Sequence, residues 1–234
     1  MEIILGIGII GKALWLKKEK AVVIADLHIG YEEALNKQGI LVPRIQFKET
    51  MNELKELLEK AKPKIIIING DLKHEFGEIS RQEWNETGEI LDLLLKQGKV
   101  ILIKGNHDTI LAPIARKKRL KAVDYFILDD ICFLHGDKVI ENAKIKKCKT
   151  LIIGHEHPSI SLHEGAKTEK YKCFLLGEWQ GKEIVVMPSF LPIIEGSDIM
   201  QGELLSPYLK NIQNFEVFIV GDKTYRFGKL KNIE

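Results

Sequence analysis

Seven side chains in this sequence carry the oxygen and nitrogen donors that hold divalent metal ions: Asp26, His28, Asp71, Asn106, His135, His155 and His157. They arrive in five short bursts, Asp26-Leu27-His28, Asn69-Gly70-Asp71, Gly105-Asn106-His107-Asp108, His135-Gly136-Asp137 and Gly154-His155-Glu156-His157. None of the bursts supplies a thiolate. Seven donors exceed what one four- to six-coordinate ion uses. A carboxylate shared by two ions, with further ligands on each side, describes a two-metal site with ions about 3.5–4 Å apart. Such a pair activates water and stabilises the oxygens of an in-line displacement at phosphorus.

Each burst follows a short apolar run: Ala21–Ala25, Ile65–Ile68, Val100–Ile103 (then Lys104), Ile131–Leu134 and Leu151–Ile153. Runs of this length, rich in β-branched residues, read as buried strands. In open sheets covered by helices, ligands sit just beyond the carboxyl ends of the strands. Taken singly, the bursts differ in weight. Asp26-Leu27-His28 is short, Asp71 after Asn69-Gly70 suits a turn, and a lone His135 before Gly136 suits a structural histidine. The Gly105–Asp108 and Gly154–Pro158 bursts are more specific. His155 and His157 cannot share a helix face, but a bent loop presents both. The five in series point to one site assembled from most of the chain.

The intervening segments supply a scaffold. Phe47, Met51, Leu54, Leu58 and Ala61 recur at helical spacing, and Pro63 closes that helix. Ser80 with Glu83 forms a capping box before a second helix striped by Trp84, Leu91 and Leu95 and ended by Gly98. The second half is mostly β, with runs at 125–128, 131–134, 150–153, 171–176, 183–187 and 215–220, and Gly221-Asp222 closes a final hairpin. The polar stretch 156–170 reads as a mobile loop over the site. Alternating α and β followed by mostly β predicts an α/β fold, two mixed sheets packed as a sandwich with helices outside. A single domain spanning 1–234 is expected, with a C-terminal hairpin extension at about 212–230. Gly6-Ile7-Gly8-Ile9-Ile10-Gly11 matches a dinucleotide-binding pattern but lacks the preceding strand and following helix, so it reads as bends in an opening hairpin.

A net charge of +2 names neither nucleic acid nor a membrane as partner. No run approaches the roughly 18 apolar residues a membrane span needs. Cys132, Cys148 and Cys173 form no CxxC pair, and the first two strands of sequence lack a basic leader, so a reducing, cytoplasmic setting is expected. Two basic stretches, Arg116–Arg119 with Lys121 and Lys144–Lys149, read as solvated surface in a lysine-rich chain. Neither is interleaved with aromatic residues, which a stacking platform for single strands requires.

The ordered series DxH, GD, GNHD, HG and GHxH resembles the calcineurin-like metallophosphoesterases over roughly residues 21–190. Ala25–Tyr31 and Gly70–Phe76 are similar to the small prokaryotic ICC-like group, which includes phosphoesterases associated with DNA ligase. The resemblance implies the four-layer αββα fold of that superfamily and a dinuclear centre. Asp26, His28, Asp71 and His157 would hold one ion. Asp71, Asn106, His135 and His155 would hold the other, with Asp71 bridging. His107 matches the histidine that assists the leaving group, Asp108 would orient it, and His74 would lie just behind the ligands. The ligand types suit Mn, Fe, Zn, Co or Ni, and the family favours Mn. One departure stands out. The superfamily's protein phosphatases continue their second motif as GDxxDRG, whereas His74 and Glu75 occupy the last aspartate and arginine positions here. The implied activity is hydrolysis of a phosphodiester, on a nucleotide or nucleic acid. A phosphomonoesterase, a nucleotide pyrophosphatase and a non-catalytic scaffold, as in the retromer subunit of this fold, remain the alternatives.

Overall fold

The computed structural model describes every residue except Arg44, Glu78, Ala166, Gly202 and Glu234. A first sheet of seven strands runs β1 (Glu2–Ile4), β2 (Ile7–Ile10), β3 (Ala13–Leu16), β4 (Ala21–Ile24), β5 (Ile65–Asn69), β6 (Lys99–Ile103) and β7 (Ala122–Val123), in spatial as in chain order. Strands β1 to β4 form an antiparallel meander, and β4 to β7 are parallel. The glycines of the dinucleotide-like pattern fall in this meander. Gly6 and Gly11 take φ of 83° and 56° at its turns, which glycine tolerates without steric cost.

Helices α1 (Tyr31–Lys37), α2 (Gln46–Ala61), α3 (Arg81–Gln97) and α4 (Ala112–Lys117) connect the parallel strands. Ser80 caps α3 by accepting the Glu83 backbone N–H at 2.9 Å. The expected capping box is only half formed, because the Glu83 carboxylate turns away to another loop.

The second sheet takes β8 (Tyr125–Leu128), β9 (Ile131–Leu134), β10 (Thr150–Ile153), β11 (Pro158–Glu164), β12 (Lys167–Trp179), β13 (Lys182–Val186) and β14 (Ser197–Asp198) in the order β14-β11-β12-β13-β10-β9-β8. The hairpin β15 (Glu216–Val220) and β16 (Thr224–Lys229) joins it through β12, so the sheet has nine strands. A short helix, α5 (Ala143–Lys147), precedes β10.

Three apolar layers explain why the strand sequences are continuously hydrophobic rather than alternating. Val22, Ile24, Ile66 and Ile68 face α2 and α3 through Leu54, Leu58, Ile90 and Leu94. Their neighbours Val23, Ala25 and Ile67 meet Phe133, Ile152, Phe174, Val185 and Phe218 between the sheets. Leu134, Leu151 and Ile153 point the other way, under Ile145, Leu209, Ile212 and Phe215. Both faces of each central strand are therefore buried. The second outer layer is thin: one five-residue helix and an irregular segment do the covering.

Segment 156–170 is not a loop. Strands β11 and β12 pair antiparallel from Ser159 opposite Lys172 to Glu164 opposite Lys167. Ile160 and Leu162 pack into the outer core, and the polar residues between them disguise a half-buried strand as a connection. Among the described residues no helix is long and apolar enough to cross a membrane.

Candidate metal centre

The carboxyl ends of β4, β5 and β6 meet those of β9 and β10 at one edge of the sandwich. The Asn69 side-chain amide ties the sheets together there, donating to the Ile152 carbonyl at 3.1 Å. The Asp26 carboxylate accepts the His155 backbone N–H at 3.1 Å. The chain must turn sharply as it leaves each strand. Asp26, His28, Asp71, His155 and His157 do so in the left-handed region, with φ between 45° and 66°. Asp and His enter that region more readily than most side chains, but still at a cost that packing must offset. Such conformations gather at sites where geometry serves function.

Two groups of donors result. Asp26, His28 and His157 place ligand atoms within 4.8 Å of one another, and so do Asp71, His135 and His155. Asp26 Oδ1 lies 3.3 Å from His157 Nε2, and His28 Nε2 lies 3.3 Å from the same nitrogen. In the second group, Asp71 Oδ2 is 3.3 Å from His135 Nε2, and His155 Nδ1 is 3.2 Å from that nitrogen. Asn106 joins the second group, its Oδ1 2.9 Å from His135 Nε2. Asp71 Oδ2 is also 3.7 Å from His28 Nε2, so it stands between the two groups. All seven expected ligands thus converge.

The donor set fits divalent cations. Two pairs of imidazole nitrogens face one another at hydrogen-bond distance, and each pair can share only one proton, whereas an ion satisfies both lone pairs. Protonation shows the same demand for positive charge. Burial lowers the His135 pKa, but its hydrogen bond with Asp71 and the charge of Asp26 outweigh this and push it up to about 9. Burial works against ionised Asp71, yet the hydrogen bond and charge of His135, followed by His28, hold its carboxyl well below the usual range. Burial and then the charge of His157 keep His28 well below the ordinary imidazole value.

His107 stands apart from the ligands. Its backbone N–H donates to Asp71 Oδ1 at 2.9 Å, and its Nε2 is 3.9 Å from Asp71 Oδ2. Nδ1 lies 2.5 Å from the His74 carbonyl oxygen, which can only accept, so Nδ1 carries a proton and Nε2 faces the centre. His74 also stacks on His107, with ring centroids 5.1 Å apart at 27°. Burial and then the charge of His107 lower the His74 pKa to about 4. Asp108 does not orient His107. Its buried carboxylate accepts the N–H groups of Leu72, Lys73 and Gly105 at 3.0–3.3 Å, clamping the second burst to the third.

The sequence matches the family described as calcineurin-like phosphoesterase over residues 20–222. The chain belongs to this family. Among solved structures, the Pseudomonas putida nuclease MPE superposes with a TM-score of 0.68 at 19% identity, covering 92% of each chain. The Yfce phosphoesterase of E. coli gives a TM-score of 0.42 at 13% identity over 86% of this chain and 88% of that one. Vacuolar protein sorting 29 of Cryptosporidium parvum gives 0.41 at 17% identity over 89% and 97%. At these identities the likeness is one of fold. No curated protein matches the sequence.

Three contributors to this calcineurin-like site escape a reading of the motifs alone. Tyr31 packs edge-on to His74, with centroids 4.7 Å apart. The Phe76 ring lies over His107 at 3.8 Å. Glu83 reaches from the first turn of α3 to accept the N–H groups of His74 and Glu75 at 2.9 and 3.0 Å. The sequence signal for Glu83 was present but pointed to Ser80. Its carboxylate fixes the loop whose carbonyl holds His107. Glu83→Ala is expected to lower stability by about 1–3 kcal/mol, the cost of leaving buried donors unpaired. It should also reduce turnover with metal content unchanged, measured by urea denaturation beside metal analysis. Wild-type turnover in a destabilised variant would detach Glu83 from His107.

Glycines admit the ligands. A Cβ at Gly105 would collide with the Asp71 carboxylate, and one at Gly70, where φ is 92°, would collide with the His135 ring. Gly88, inside α3, meets only the Lys118 side chain at 3.8 Å. Gly105→Ala is therefore expected to lose bound metal and melt earlier. Gly88→Ala should gain about 0.5–1 kcal/mol through helix propensity. Calorimetry with metal analysis checks both, and a Gly105→Ala protein retaining full metal would contradict the placement of Asp71.

Proposed function

We propose that this chain is a metal-dependent phosphodiesterase whose centre takes two divalent ions. The observation that carries the reading is the pair of adjoining donor groups with Asp71 Oδ2 between them. Asp26, His28, Asp71 and His157 would hold one ion, and Asp71, Asn106, His135 and His155 the other. Manganese leads the ions suited to these donors, with Fe, Zn, Co and Ni behind it. Bound divalent ions supply Lewis acidity, neutralising phosphate oxygens and lowering the pKa of water from 15.7 to about 7.

The chain's own groups account for the rest. His107 presents Nε2 toward the centre while His74 holds the opposite nitrogen. As an imidazolium it can pass a proton to the departing ester oxygen. Asp108 and Glu83 hold the loops that set this geometry.

A diester is favoured over a monoester because the Gly70–Phe76 loop offers no arginine to grip a dianionic phosphate. Its Lys73 ammonium donates to the Glu75 carbonyl within the loop, and the Glu75 carboxylate lies 3.8 Å from Lys37. The relative with the TM-score of 0.68 is itself named a nuclease. The test is hydrolysis of bis(p-nitrophenyl) phosphate against p-nitrophenyl phosphate at equal manganese loading. Faster diester turnover is expected. Faster monoester turnover rejects the diesterase reading in favour of a phosphomonoesterase.

A further inference from the structure

A groove of about 690 Å³ opens directly beside the centre, sharing Asn106 with it. That is room for more than a phosphate group, since whole small-molecule ligands occupy roughly 300–1,000 Å³. Four cations line it: Lys104, Arg116, Lys121 and Lys138. Two are balanced, Lys104 by Asp124 at 3.5 Å and Lys138 by Asp137 at 4.0 Å. Arg116 and Lys121 are exposed and have no carboxylate partner among the described residues. The groove thus carries surplus positive charge, and it leads away from the place where a scissile phosphate would sit.

The fold breaks up the basic run that the sequence presents as one surface patch. Lys118 pairs with Asp92 at 2.6 Å, and Lys117 lies over the Trp84 ring at 5.9 Å. Only Arg116 and Lys121 of this stretch line the groove. The aromatic group absent from the basic run comes from another loop. Phe76 is 51% exposed, rests on His107, and accepts a hydrogen bond from Thr109, which also lines the groove. An apolar ring therefore stands at the catalytic end of a cationic channel. This pairing is how proteins hold nucleic-acid strands, with charge on the backbone and aromatic faces under bases.

We propose that this groove binds the phosphates flanking the scissile bond of a nucleic-acid strand, with Arg116 and Lys121 each taking one phosphate and Phe76 receiving a base. The inference rests on the diesterase reading for the bond that is cut, but its test reads binding rather than turnover. A labelled oligothymidylate of about a dozen residues is titrated with chelator-treated protein between about 50 and 200 mM salt, followed by fluorescence anisotropy. Relative to wild type, Arg116→Ala/Lys121→Ala is expected to weaken binding at low salt by about tenfold or more. It should flatten the slope of log K against log salt by about 1.4, which is about 0.7 per single-strand phosphate contact. Lys55→Ala/Lys96→Ala removes the same charge from exposed positions on α2 and α3 and should leave the slope unchanged.

An unchanged slope in the groove variant, or an equal change in the control, overturns the proposal. Equally tight binding of inorganic polyphosphate of similar length overturns the nucleic-acid assignment, because it leaves charge alone as the attraction. Failure to hydrolyse bis(p-nitrophenyl) phosphate would count against the diesterase reading and leave the binding result to stand or fall separately.

Discussion

Asp71→Asn is expected to reduce bound metal from about two ions per chain to one or fewer, and to lower turnover at least about 10³-fold, or about 4 kcal/mol of transition-state stabilisation. The carboxylate uses its two oxygens differently. Oδ1 accepts the His107 backbone N–H, and Oδ2 faces both His135 and His28. Asparagine retains an acceptor for the first contact and removes the charge from the second. Asn106→Ala makes a useful contrast, because Asn106 touches only the His135 side and should lose a single ion. The metal-free protein gives an independent readout. His135 is raised from 6.5 to about 9 by its carboxylate partners. The native state therefore binds more protons between those values, and this contribution to stability is full below about pH 6.5 and lost as pH rises through about 9. Asp71→Asn should flatten that dependence in chelator-treated protein. Two ions per chain in Asp71→Asn would remove Asp71 from the shared position.

The sequence made the strand-end placement of this centre legible because both sheets bury their central strands on two faces. Val22-Val23-Ile24 and Ile66-Ile67-Ile68 are uninterrupted runs, and the polar burst that follows each stands out sharply. Periodicity failed where burial was one-sided and local rules competed. Ile160 and Leu162 alternate with serines, so β11 looked like a loop. Glu83 sits at the spacing of a capping box, but two backbone donors in the His74–Glu75 turn attract its carboxylate. Asp108 follows His107 in sequence and so looked like its partner. The turn after β6 instead aims it at three amides from two loops. Contacts between distant loops, such as Phe76 on His107, have no counterpart in sequence spacing.

His107→Ala should leave the metal content unchanged while lowering turnover by about 10²–10⁴, the range for loss of a positioned acid. Metal is retained because the contact of residue 107 with Asp71 Oδ1 is made by its backbone N–H, which alanine keeps. The size of the loss should depend on the leaving group. A p-nitrophenolate departs with little help, whereas the sugar alkoxide of a dinucleoside phosphate needs a proton. The variant should therefore suffer far more on the dinucleoside substrate than on bis(p-nitrophenyl) phosphate. His74→Ala preserves the carbonyl that holds Nδ1 but removes the stacked ring, so it should cost less than His107→Ala on both substrates. Equal losses of His107→Ala on both substrates would assign the residue an electrostatic role at the phosphate. Lost metal would place it among the ligands, where His28 and His74 already lie close enough to form a third donor group with it.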